Sequence, residues 1–142
     1  MEWDITSARG FARLRLGDDL RDVRARFGEH VTFRRTTAAD ETDHFVSVGV
    51  LATYDTDRRV SFLEIVEPAT PRIAGVPLLG EPVDDVARAL VARGVRVERD
   101  RDGATVVGWG VGLWAPDEWV DSVSIGERAT TPLSRSAGQL LS

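Results

Sequence analysis

The chain contains no cysteine. That removes disulfides, thiolate metal ligands and a cysteine nucleophile together, and it agrees with a reducing compartment. Lysine is also absent: all eighteen basic residues are arginine. A GC-rich coding bias accounts for this. Arginine favours bidentate contacts with carboxylates and phosphates, yet acids interrupt the arginines throughout, as in Arg13, Arg15, Asp18, Asp19, Arg21, Asp22, Arg24 and Arg26. With a net charge of -5 no uniform basic face forms, which disfavours nucleic-acid binding. Only two histidines are present, and there is no Gly-x-Ser-x-Gly nucleophile elbow. Gly108-Trp109-Gly110-Val111-Gly112 reads as strand, not as a phosphate-cradling turn into a helix. No apolar run is long enough to span a bilayer, and Met1-Glu2-Trp3-Asp4-Ile5 lacks the basic-then-apolar pattern of a secretory signal. These absences point to a cytoplasmic chain with no membrane segment, no cofactor and little material for catalysis.

What is present is an internal echo. Leu16-Gly17-Asp18-Asp19-Leu20-Arg21-Asp22-Val23 matches Leu79-Gly80-Glu81-Pro82-Val83-Asp84-Asp85-Val86, 63 positions later. Tyr54 to Ile65 matches Trp114 to Ile125, 60 positions later. A common order of elements at a near-constant offset signals duplication. Leu20, Val23 and Phe27 form one apolar stripe of a helix beginning near Asp18 and stopped by Gly28. Val83, Val86, Ala87, Leu90 and Val91 form a second, opened by Pro82 and ended by Gly94. Alternation predicts a strand over Phe45–Tyr54 and a return strand over Val60–Val66. It also predicts strands over Val95–Glu98, from Ala104 on to Trp114, and over Val120–Ile125. Val31–Arg35 is a short candidate strand, and Thr36–Asp43 reads as a loop.

The expected fold is α+β: two tandem α-β-β-β units, with helices packed on one face of a joint antiparallel sheet. Residues 1–13 form a lead-in with Trp3 and Phe11 as anchors, 14–66 the first unit, 67–75 a linker, 76–126 the second unit and 127–142 a flexible tail. A single domain results, since one unit of this size buries too little apolar surface alone.

Units opening with Leu-Gly-Asp-Asp-Leu-Arg-Asp-Val-Arg-Ala-Arg-Phe-Gly, followed by a hairpin such as Tyr54-Asp55-Thr56-Asp57-Arg58-Arg59-Val60, resemble the repeat of the beta-lactamase inhibitory protein fold. Small outer-membrane-assembly lipoproteins use a similar unit. The resemblance covers residues 14–66 and 76–126 and implies the tandem architecture and protein binding. The chain departs from both groups in lacking an export signal, a lipid-attachment cysteine and disulfides. No functional residue is carried over.

Three of the four tryptophans, Trp109, Trp114 and Trp119, fall within eleven residues. Tryptophan is enriched at binding hot spots because its rigid ring buries much area at small entropic cost; internal packing is the competing explanation. Trp119, beside Asp117 and Glu118 at a turn, is the best exposed contact. Trp109, Trp114, Trp119, Asp117 and Tyr54 are therefore the candidate partner-binding residues. Gly108, Gly110 and Gly112 mark either a bent strand or a smooth surface that a ligand can approach closely. Asp40, Glu41, Asp43 and His44 are nearly consecutive and read as a solvated loop leading into a strand, not a metal site. Asp55-Thr56-Asp57 resembles the start of a calcium loop, but the glycine and distal glutamate are missing, so it reads as a hairpin turn.

The expected function is a non-enzymatic protein-binding module, in one version an immunity-type protein or inhibitor. A small-molecule or enzymatic site in a cleft between the units is the first alternative, and a structural homodimer packed through the tryptophan-rich strand is the second.

Overall fold

The structure, a computed structural model, describes residues 2–7, 10–34 and 40–126. The elements run β1 (Glu2–Ser7), β2 (Gly10–Phe11), α1 (Leu20–Phe27), β3 (Val31–Phe33), β4 (Thr42–Phe45), β5 (Val50–Tyr54), β6 (Val60–Ile65) and β7 (Thr70–Ile73), then β8 (Val76–Pro77), α2 (Val83–Ala92), β9 (Val97–Asp100), β10 (Gly103–Val106), β11 (Val111–Trp114) and β12 (Ser122–Gly126). The expected flexible tail, 127–142, lies outside the described residues.

The expected α+β architecture of tandem α-β-β-β units is overturned. Among the described residues the chain is mostly β, with twelve strands against two short helices. Its centre is an eight-stranded sheet in the order β3-β4-β5-β6-β12-β11-β10-β9, antiparallel throughout. A second sheet, β2-β1-β7-β8, is built from segments expected to be lead-in and linker. There β1 pairs with β7 in parallel, Trp3 opposite Pro71.

Two expected strands are each two strands. Val46–Gly49 is a turn between β4 and β5, and Val107–Gly110 is a turn between β10 and β11. Gly49 (φ 77°), Gly108 (φ 83°) and Gly110 (φ 66°) adopt the left-handed conformation that reverses the chain. Alternating valines around Gly49 imitate the period of a strand straight through that reversal.

The helices are short and capped locally. The Asp19 side chain accepts from the Arg21 N–H at 2.8 Å, and Gly28 closes α1 with its N–H on the Arg24 carbonyl. The cap is Asp19, not Asp18. The Asp18 carboxylate instead accepts from the Arg15 N–H at 2.9 Å. In α2 the cap position is Pro82, which has no side-chain acceptor, while Asp84 and Asp85 place negative charge in the first turn.

One face of the large sheet, carrying Leu63, Ile65, Val123 and Ile125, belongs to the main core cluster. Leu20 and Val23 of α1, Val83, Val86 and Leu90 of α2, and Trp3, Ile5, Phe11, Ile73 and Val76 of the small sheet join it there. Trp3 sits edge-on to Phe11 at 4.8 Å and stacks on Phe27 at 5.7 Å, geometries that aromatic pairs favour. The cover of this face is thus a small sheet together with two short helices. Among the described residues no helix is long and apolar enough to cross a membrane.

Candidate functional site

The five candidate contact residues part company in the structure. Tyr54 is buried, at 2% exposure, so it cannot present its ring to a partner. Its position on β5 turns it inward with Val50 and Ala52, and its hydroxyl donates to Asp43 at 2.9 Å. Trp109 lies in the β10–β11 turn, half-buried against the main core. Trp114 ends β11, half-buried on the opposite face, across from Ser122. Trp119 is 55% exposed, and Asp117 is exposed two residues before it. The structure therefore brings Trp119 and Asp117 onto one turn and leaves Trp109 at the other end of β11.

The Trp119 turn is firmly held. Pro82 and Trp119 form an isolated antiparallel bridge. The Val83 N–H donates to the Glu118 carbonyl at 2.8 Å, the Val120 N–H to Glu81 at 2.9 Å, and the Gly80 N–H to Val120 at 2.9 Å. Glu118 takes a left-handed conformation (φ 74°), which turns the chain so that residue 119 faces outward. Beside it lies an open groove of about 330 Å³, lined by Val66, Leu79, Gly80, Val120 and the carboxylates Glu67 and Asp121. An exposed indole on a held turn thus stands at the rim of a shallow, acidic groove.

The best-connected polar constellation was not legible as such. Asp43 lies in β4, not in a loop, and is wholly buried, which corrects the solvated-loop expectation. The Arg24 guanidinium grips it in a fork, Nε to Oδ2 at 2.8 Å and Nη2 to Oδ1 at 3.0 Å. The Thr32 hydroxyl donates to Oδ1 at 2.6 Å and the Tyr54 hydroxyl to Oδ2 at 2.9 Å. His30 Nε2 stands 3.8 Å from Oδ1, and Glu41 lies 3.5 Å from Arg24. Burial opposes ionisation of Asp43, but the hydrogen bonds from Arg24, Thr32 and Tyr54 and the Arg24 charge outweigh it and hold the carboxyl below its ordinary range. The same hydrogen bond to Asp43 raises Arg24. Burial, then the adjacent Asp43 charge, push the Tyr54 phenol far above its usual value.

This network has the parts of an acid–base site but not the access. Both oxygens of the carboxylate are engaged, and the residue has no exposed surface. It ties α1 to β3, β4 and β5, joining the helix to three strands of the large sheet through polar bonds. Among the described residues, no group of three or more histidines and carboxylates could hold a metal ion. Asp55, at the calcium-loop-like turn, spends its carboxylate on the N–H groups of Asp57 (2.9 Å) and Arg59 (3.0 Å), as an Asx turn does. His44 points to the face opposite Asp43, and burial pushes its pKa down. Comparison of the chain with protein-family models, curated proteins and solved structures finds no match.

Proposed function

We propose that this protein is a non-enzymatic binding module that engages a protein partner through the Trp119 turn. One observation carries the proposal: a 55% exposed indole on a turn locked by backbone hydrogen bonds. An exposed tryptophan on a held turn has only two side-chain torsions to order on binding and fills a partner's pocket with a large apolar surface. Asp117, Glu118 and Asp121 surround it with exposed carboxylates, and the whole chain carries -5. Such a rim steers a partner of positive charge and disfavours an acidic one. An inhibitor or immunity-type protein is a specific version of this role. The Asp43 network serves the fold in this scheme, because its oxygens are spent on internal donors.

Affinity capture from the native host tests it with three full-length baits: the unsubstituted chain, Trp119→Ala and Val91→Ser. Val91 is 59% exposed on α2 and serves as a control for loss of surface apolar area. A partner held by the unsubstituted and Val91→Ser chains and lost by Trp119→Ala is the expected result. A partner retained by Trp119→Ala, or lost equally from both variants, rejects the turn as the contact. Light scattering completes the test. A mass of twice 15.6 kDa that falls to the monomer in Trp119→Ala would make the partner a second copy of the chain.

A further inference from the structure

Among the described residues two arginines are half-buried, Arg24 and Arg72, and the other arginines are exposed. Arg24 spends its guanidinium on Asp43. Arg72 has no such counter-charge. It lies in β7 between Pro71 and Ile73, both buried, and alternation turns it to the opposite face. Its Nε is nevertheless buried, with no hydrogen-bond partner among the described residues. Its register partners are Asp4 on β1 and Pro77 on β8. Proline has no side-chain acceptor, and Asp4 is exposed and forms no ion pair with it. A donor buried without an acceptor opposes folding and calls for an explanation.

Arg72 lines a groove of about 340 Å³ whose walls include Pro68, Pro71, Pro77 and Leu78. Glu67 and Leu79 line this groove and also the one beside Trp119, so the two adjoin. Their charges are ordered: Asp121 beside Trp119, Glu67 on the shared wall, and the Arg72 guanidinium beyond it. Among the described residues neither carboxylate is hydrogen-bonded or ion-paired, and both are exposed. The three prolines fix their own backbone torsions, so this wall is shaped before anything binds.

We propose that the adjoining grooves hold one extended segment of the protein partner, with a basic residue against Trp119, Asp121 and Glu67 and an acidic residue paired with Arg72. The proposal rests on the reading of the Trp119 turn as the contact and names what that turn takes. A cation on an indole face gains from the ring and from the two free carboxylates beside it. A partner carboxylate gives the half-buried guanidinium the counter-charge that the fold withholds, and the planar fork is matched to that group. A lone anion fits less well, because Glu67 and Asp121 repel it on its way to Arg72. A peptide brings both signs together in one chain.

A synthetic peptide array probed with the full-length protein tests this. Each peptide carries one arginine and one aspartate, in either order and at increasing separation, on a frame of leucine and serine. Matched sets replace the aspartate by asparagine, the arginine by glutamine, or both. The unsubstituted chain should favour a narrow band of separations and bind it about tenfold or more tighter than either neutralised set. Arg72→Gln should bind the aspartate and asparagine sets alike, and Arg72→Glu should prefer lysine in place of the aspartate. An Arg72 that serves only the fold would weaken every peptide equally and leave the aspartate preference intact, which overturns the proposal. Binding set by the arginine alone, or none above the doubly neutralised set, overturns it too. If Arg72→Gln does not fold, Arg72→Lys replaces it: the preference should shrink with loss of the fork, and an unchanged preference counts against the site. Trp119→Ala separates the two readings. If that variant keeps the arginine preference, the Trp119 contact itself fails; if only Arg72→Gln is without effect, the contact stands and the Arg72 anchor falls.

Discussion

Replacing Arg24 by methionine keeps the length and apolar stem of the side chain and removes the guanidinium that grips Asp43. The two sides of this pair are unequally exposed: the Asp43 side chain is 0% and that of Arg24 is 32% accessible. Removing the arginine therefore leaves a buried carboxylate with only the Thr32 and Tyr54 hydroxyls and the distant His30. Breaking a buried pair from one side costs about 3–5 kcal/mol, mostly the penalty of the stranded charge. Partial exposure of Arg24 lets water follow into the gap, so the low end, about 3 kcal/mol, is expected. Adding Asp43→Asn removes the stranded charge, and the double variant should recover at least about 1 kcal/mol relative to Arg24→Met alone. Urea unfolding followed by tryptophan fluorescence reads both values. A loss under about 1 kcal/mol, as for an exposed ion pair, or a double variant no more stable than Arg24→Met, would refute the assignment of Asp43 as the buried charge of the network.

Further outcomes follow from the same structure. Asp43 is held below its ordinary carboxyl range in the fold, so its contribution should be complete above that range and lost as pH falls through the folded value. His44 is lowered from 6.5; the unfolded chain takes up its proton first, so stability should drop below about pH 6.5, and His44→Gln should abolish that component in a pH series of thermal midpoints. Tyr54 is raised from 10.0, so an alkaline loss should set in above about pH 10 and be absent in Tyr54→Phe. Gly49→Ala should be severe, at about 2 kcal/mol or more, because its Cβ would meet the Val66 carbonyl at 2.2 Å. Gly94→Ala, with open space around it and only a positive φ of 81° to satisfy, should cost about 1 kcal/mol by the same denaturation. Trp3→Ala, at 1% exposure, should cost about 3–5 kcal/mol, whereas Trp119→Ala should leave stability within about 0.5 kcal/mol.

The helices were legible in the sequence because their signals are local: an apolar stripe, an acidic first turn and a glycine stop. The strands were legible in kind but not in number. Val46, Val48 and Val50 keep a period of two through a tight turn, and only the glycines at 49, 108 and 110 hint that the chain reverses. The small sheet left almost no trace, since β2 and β8 have two residues each and β7 contains Pro71. Pairing of β1 with β7 joins segments almost seventy residues apart, and no local pattern encodes it. The Asp43 network was hidden for the same reason. Its members Arg24, Thr32, Asp43 and Tyr54 are polar residues spread over thirty positions on four elements. One signal was readable: Arg24 falls beside Leu20, Val23 and Phe27 on the inward stripe of α1, where a charge needs a partner.

Comparison of two equivalent turns shows how Trp119 comes to be exposed. Asp19 bridges Arg59 as Pro82 bridges Trp119. The Leu20 N–H donates to the Arg58 carbonyl at 2.9 Å, as the Val83 N–H does to Glu118 at 2.8 Å. Arg58 (φ 62°) and Glu118 (φ 74°) share the left-handed conformation. The backbone device is the same, so the difference lies in the side chain it displays. Arg59 bends back and donates one guanidinium N–H to the Gly17 carbonyl at 3.0 Å, which tethers its head beside the turn. An indole has one donor and a broad apolar face; on this turn Trp119 remains 55% exposed. Arg59→Trp should then present a second exposed ring on a turn of the same geometry, with little loss of stability. If the indole of Trp119 alone makes the contact, that variant combined with Trp119→Ala should regain partner binding in part. If binding also needs the acidic groove formed by Glu67 and Asp121, no recovery should occur, and the surrounding carboxylates rather than the ring would carry the specificity.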